Sequence, residues 1–196
     1  MILTISFIEV IDADKNLWKK FKRSNQAAFE ALYHQHYTSL YFFALKATAH
    51  PEEAQECVQE LFVTLWNRRE NLGDVTEIKP YLFKSLRRLI YRYTAARTQP
   101  TTLIAYESCA LTFSPEDFVI KAEDDAYRQD TLAKVLNSLP PRQREAVYLK
   151  YYEDLTYPQI AEVLHINYQS AVNLIYQALQ QLRQQSALQK LISLTD

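Results

Sequence analysis

Leu155-Thr156-Tyr157-Pro158-Gln159-Ile160-Ala161-Glu162-Val163-Leu164-His165-Ile166-Asn167 decides the fold. Thr156 and Gln159 have the spacing of a capping box, in which an N-cap hydroxyl and an N3 side chain satisfy each other's orphan amides. The helix they open would bury Ile160, Ala161 and Leu164. His165-Ile166-Asn167 is then a tight turn. His165 is among the residue types that tolerate a left-handed backbone, and Asn167 is a good N-cap for a further helix. On that helix Val172, Ile175, Leu179 and Leu182 predict one buried stripe, with Ala171 and Ala178 at its edge. The other face carries Gln169, Ser170, Asn173, Gln177, Gln180 and Gln184. A short capped helix, a three-residue turn and a longer amphipathic helix make a helix-turn-helix. Gln and Asn pair bidentately with adenine in the major groove, so an uncharged face can still read bases.

Outward from this motif the chain reads as helix throughout. Helices are expected over 123–139, 142–152, 156–164 and 167–188. Upstream, 26–49 has helical apolar spacing, broken at His50-Pro51. The next helix, 51–69, buries Val58, Leu61, Phe62 and Leu65 and places Glu52, Glu53 and Glu56 in its first turns, where the helix dipole favours them. Asn71 to Asp74 is a turn, and Pro80 opens a third helix over 81–96. From Thr98 to about Pro115 no period is sustained. The expectation is an all-α protein of two small helical domains joined by a flexible acidic linker, the C-terminal domain being the helix-turn-helix. The divisions are an N-terminal extension 1–24, a first domain 25–97, a linker 98–122 and a second domain 123–190.

Composition agrees and excludes much. Of 196 residues one is glycine, Gly73; β-rich folds spend glycine on hairpins and bulges, and phosphate-cradling loops need several together. Cys57 and Cys109 lie far apart, which implies neither disulfide nor zinc and fits a reducing cytoplasm. No apolar run approaches a membrane span, so no membrane insertion is expected. The apolar start, Ile2 to Ile11, lacks the basic region and cleavage site of a signal peptide. His34 and His36 point to different sides of a helix, and no nucleophile–base pair stands out, so no catalytic residue, metal or cofactor is expected. The net charge of −1 conceals segregation. Lys79, Lys84, Arg87, Arg88, Arg92 and Arg97 are uninterrupted by any acid, whereas 107–130 holds seven acids against Lys121 and Arg128. The acidic stretch is expected to compete with DNA phosphates for the basic helix in the free protein. Arg183 is the only basic residue between Tyr151 and Gln189, so the second domain alone should bind DNA weakly.

Leu139-Pro140-Pro141-Arg142-Gln143-Arg144-Glu145-Ala146-Val147, the 155–161 motif, Ala171-Val172 and 178–183 together resemble the C-terminal domain of bacterial RNA polymerase sigma factors. Residues 54–62 resemble the polymerase-binding helix of their N-terminal domain, and Lys79-Pro80-Tyr81-Leu82-Phe83-Lys84 the start of its −10-reading helix. Having only these two domains is similar to the extracytoplasmic function class. The resemblance implies a non-enzymatic factor that binds core RNA polymerase and promoter DNA, with an anti-sigma factor as a further candidate partner. It assigns Glu56, Gln59 and Glu60 to the polymerase. It assigns Lys84, Arg87, Arg88 and Arg92 to DNA near the −10 element, with Tyr81 and Phe83 as neighbours for unstacked bases and the loop from Leu72 to Glu77 as the pocket for a flipped base. Gln169, Ser170, Asn173, Gln177 and Arg183 would contact the −35 element. The chain departs from the family at Arg88, where Asn is common, at Cys57, where an aliphatic side chain is usual, and at Gln177, where Arg is common.

Two rival readings are a free-standing helix-turn-helix regulator, which leaves the helices of 51–97 without a role, and a helical adaptor that binds only proteins.

Overall fold

A computed structural model of the chain describes residues 13–98, 109–118 and 125–185. The apolar start and the expected final turn of the last helix, 186–188, lie outside the described residues, as do 99–108 and 119–122 of the expected linker and 123–124 at the start of the expected helix 123–139. Among the described residues there are eight α-helices and no strand. They fall into two compact units, Met1–Thr98 and Gln99–Asp196.

In the first unit, helix α1 spans residues 13–22 and α2 Gln26–Thr48. Asn25 caps α2, its side chain accepting the Ala28 N–H at 2.8 Å, and Ala49 ends it in the left-handed region. Pro51 stands in the first turn of α3 (Pro51–Arg68), where its missing N–H costs no bond. The expected stripe is buried together with Ala54 and Cys57. A 3-10 turn, Arg69–Asn71, closes α3. Helix α4 runs Ile78–Thr98 and so begins before the expected Pro80 start. Asp14 of α1 is the reason: its Oδ2 accepts the Ile78 N–H at 3.4 Å.

Residues 13–24 are therefore built into this unit. Trp18 and Phe21 are fully buried, with rings 5.2 Å apart, and Phe21 lies against Phe29 and Trp66. Each such ring contributes about 2–3 kcal/mol of burial.

The second unit holds α5 (Asp125–Asn137), α6 (Pro141–Tyr151), α7 (Tyr157–Leu164) and α8 (Tyr168–Gln184). Residues 109–118, expected in the linker, are instead part of its core. Leu111, Phe113 and Phe118 are buried and a 3-10 turn, Pro115–Asp117, folds the segment back. Backbone groups with no helix to satisfy them find side chains. The Phe113 N–H donates to Asn137 Oδ1 at 2.9 Å, and Asn137 Nδ2 donates to the Phe113 carbonyl at 2.8 Å. Arg144 donates to the Leu111 carbonyl at 2.6 Å, and the fully buried Glu145 accepts the Cys109 N–H at 3.2 Å. On α8 the buried line is Ala171, Ile175 and Ala178, with Val172, Leu179 and Leu182 half-buried. The small residues, expected at the edge, hold the centre because two alanines let the α8 backbone approach the core.

Candidate nucleic-acid interfaces

The helix-turn-helix is assembled by its caps. The Thr156 N–H donates to Gln159 Oε1 at 2.7 Å within the capping box. His165 takes φ 53°, and the Ile166 N–H reaches back to the Ala161 carbonyl at 3.0 Å, the closure that a left-handed cap provides. Asn167 Oδ1 accepts the Ser170 N–H at 2.7 Å. These bonds fix where α8 starts and which face it shows. Gln169, Asn173, Gln177 and Arg183 lie on the exposed side, and Ser170 is half-buried.

Gln169 Nε2 donates to Asn173 Oδ1 at 3.0 Å. Gln169 thereby retains its amide oxygen and Asn173 its NH2, an acceptor and a donor on adjacent turns. Tyr168 and Tyr176 share this exposed side, 55% and 60% exposed, and the Tyr176 hydroxyl accepts from Gln180 at 2.8 Å. Neither tyrosine was expected there, since both fall outside the amide pattern that marks the face. Lys150 adds a positive charge: its Nζ stands 5.2 Å from the centre of the Tyr157 ring, and Tyr157 meets Tyr168 edge to face. The short connection between α6 and α7 brings this lysine to the motif.

In the first unit the basic helix divides by face. Lys84, Arg88 and Arg92 recur at four-residue spacing on one side of α4; Lys84 is half-buried and the two arginines are exposed. Arg87 is 8% exposed, which removes it from a phosphate-contacting surface. Its helical neighbours Phe83 and Ile90 are core residues, so it points where they do. Phe83 is likewise fully buried, edge-on to Phe43 at 5.3 Å, and not available to an unstacked base. Tyr81 is half-buried against Trp18.

On α3, Glu56 and Gln59 are exposed and Glu60 half-buried. Val63, 58% exposed, continues the face at i+4 from Gln59, an apolar member that a search for acids passes over. Glu60 belongs equally to α4: Arg92 donates to its Oε1 at 2.7 Å, and a hydrogen bond to Glu60 leads the causes that push the Tyr93 hydroxyl up. Burial, reinforced by Glu60, Glu53 and Glu56, pushes the Cys57 thiol to about 11, so it stays protonated as a small core group.

The loop between α3 and α4 is held by α1. Trp18 Nε1 donates to the Gly73 carbonyl at 3.0 Å, and Lys22 donates to Asp74 at 3.0 Å. Gly73, Asp74 and Thr76 remain exposed. Lys15, Lys19, Lys20 and Lys22 make α1 basic against a single acid, Asp14, and Arg23 follows its end. The signal was present as Leu17, Trp18 and Phe21 at helical spacing followed by the Ser24-Asn25 cap.

No described helix is long and apolar enough to cross a membrane. Family models match the chain in two places: "Sigma-70 region 2" over residues 32–99 and "Sigma-70, region 4" over residues 129–182. The chain is 24% identical over 164 residues to RNA polymerase sigma factor SigV of Bacillus subtilis, covering 84% of this chain and 94% of that one. It is 28% identical over 159 residues to ECF RNA polymerase sigma factor SigL of Mycobacterium tuberculosis, covering 80% and 88%. Its fold is similar to the sigma factor RpoE of Bartonella quintana, solved in complex with the anti-sigma factor NepR. There the TM-score is 0.58 at 18% identity, over 79% of this chain and 94% of that one.

Proposed function

The chain belongs to the sigma-70 family, in its extracytoplasmic function class, and from that premise we propose which of its surfaces does what. As a sigma factor it directs promoter-specific transcription initiation, with core RNA polymerase and promoter DNA as its partners; sigma factors are not themselves enzymes.

The exposed side of α3 docks on the polymerase through Glu56, Gln59 and Val63. Glu60 serves that surface only by exchanging its Arg92 partner. Lys84, Arg88 and Arg92 contact the phosphates near the −10 element, and the loop 72–77 receives a flipped base. The α8 face reads the −35 element. There the Gln169 oxygen and Asn173 NH2 complement the N6 donor and N7 acceptor of adenine, and Arg183 and Lys150 hold phosphates. The observation that carries the reading is the chemistry of the two units. One presents an acid-and-amide helix beside a basic one; the other presents a capped recognition helix with few cations, which suits a DNA reader that borrows affinity from a larger partner. An anti-sigma factor that covers these surfaces is the natural means of control, and the site of action is the cytoplasm, where the polymerase works.

In vitro transcription with core polymerase on a promoter library tests this. Promoter-dependent transcripts that require the chain are expected. Tight operator binding without polymerase would favour a free-standing regulator, and absence of promoter-dependent transcription from every template would favour a protein-binding adaptor.

A further inference from the structure

Gly73 is the only glycine in the chain, and the fold around it does not ask for one. Its φ is not positive, and a Cβ added to it would meet no described atom within 4 Å. A glycine costs backbone entropy on folding. One place it suits, apart from a special backbone angle or a crowded neighbour, is a peptide that a ligand approaches closely.

The peptide is fixed in advance. The buried Trp18 holds the Gly73 carbonyl, Lys22 holds Asp74, and Asp14 holds the Ile78 N–H at the loop's far end. Three side chains of α1 thus pin a loop whose tip is open to solvent. A backbone already immobilised loses little freedom when a ligand arrives. The surroundings are cationic: the Lys22 hydrogen bond and charge hold the Asp74 carboxyl below its ordinary range, and the Lys19 charge adds to the effect. Lys19 itself is exposed.

A flat, open peptide held by α1, with the half-buried Lys22 beside it and the exposed Lys19 close enough to act on Asp74, fits one nucleotide turned out of its stack, its ring on the backbone and its phosphate on an ammonium group. We infer that α1 is part of the base-reading machinery: Trp18 is a positioning residue that sets the Gly73 peptide as the floor for one flipped −10 base, and Lys19 receives the adjoining phosphate. This rests on the reading of loop 72–77 as the base-capturing loop and names the residues that make it one.

The test uses holoenzyme reconstituted from core polymerase and the full chain, with single-stranded −10 oligonucleotides from a selected promoter carrying each base in turn. Gly73→Ala should leave the affinity of the chain for core unchanged and its melting temperature no lower, yet reduce base discrimination at one position by about tenfold and at no other. Trp18→Phe, which keeps a ring and removes the N–H, should lose discrimination at the same position by a smaller factor. Lys19→Ala should weaken all four bases alike. Full discrimination in Gly73→Ala would overturn the assignment, as would a Trp18→Phe effect spread evenly over positions in step with a lower melting temperature. If the wild-type holoenzyme discriminates at no −10 position, the base-capturing reading of the loop itself fails. That outcome is distinguishable from one in which wild type and Gly73→Ala discriminate equally.

Discussion

His36 shows what a single buried side chain does to the behaviour of the fold. It is 6% exposed on the buried face of α2, and its Nε2 has no partner among the described residues. Burial, with a smaller contribution from the Lys79 charge, lowers its pKa to about 4. The folded value lies below the unfolded one, so the unfolded state binds the proton first and stability falls as pH drops from about 6.5 towards 4. Between pH 7 and pH 5 this group should cost about 2 kcal/mol. Urea melts at those pH values check it: His36→Gln should lose clearly less stability over the interval than wild type. Adjacent side chains on one helix mark the limit of what the sequence pattern reveals. Arg87 and Arg88 are adjacent and chemically identical, and a charge count treats them alike. Only the rotation of α4 about its apolar residues, widened by Phe83 and Ile90, sends one inward and the other to solvent. Phe83 was ambiguous for the same reason, because an aromatic ring suits a core and a base equally.

At the scale of elements, most of the architecture was readable because caps and prolines are local chemistry. Asn25, Pro51, the Thr156–Gln159 box, His165 and Asn167 each act within a few residues of their own position. The segment 109–118 was not readable, because its order comes from α5 and α6 side chains tens of residues away. Asn137→Ala should leave both Phe113 backbone groups without their partner, costing about 2 kcal/mol. Faster hydrogen exchange at the Phe113 amide, with α8 amides little changed, is the expected signature. Gln169→Ala and Asn173→Ala should each change preference at one shared −35 position by about 1–3 kcal/mol, since the two amides act as a pair. Selection on randomised promoters checks this, and an unchanged −35 motif would remove both residues from readout.

For the whole molecule, the few cations on the recognition unit set how it behaves alone. With Lys150 and Arg183 as the phosphate contacts, the slope of log affinity against log salt for a −35 duplex should be about −2 for the free chain. Fluorescence titration over a range of salt gives this value, and a slope several times steeper would mean that other basic surfaces take part. The incorporation of 109–118 into the second unit has a mechanical consequence. Eleven backbone steps separate Thr98, the last residue of the first unit, from Cys109, already anchored in the second. Fully stretched, they reach about 40 Å, whereas a tether running to residue 122 would reach roughly twice as far. One unit bound to its DNA element keeps the other at high local concentration, but on a short leash. Each base pair added between the two elements moves them apart by about 3.4 Å and rotates them around the duplex axis. On the proposed reading, this limit on reach should make the distance between the promoter elements matter along with their sequence.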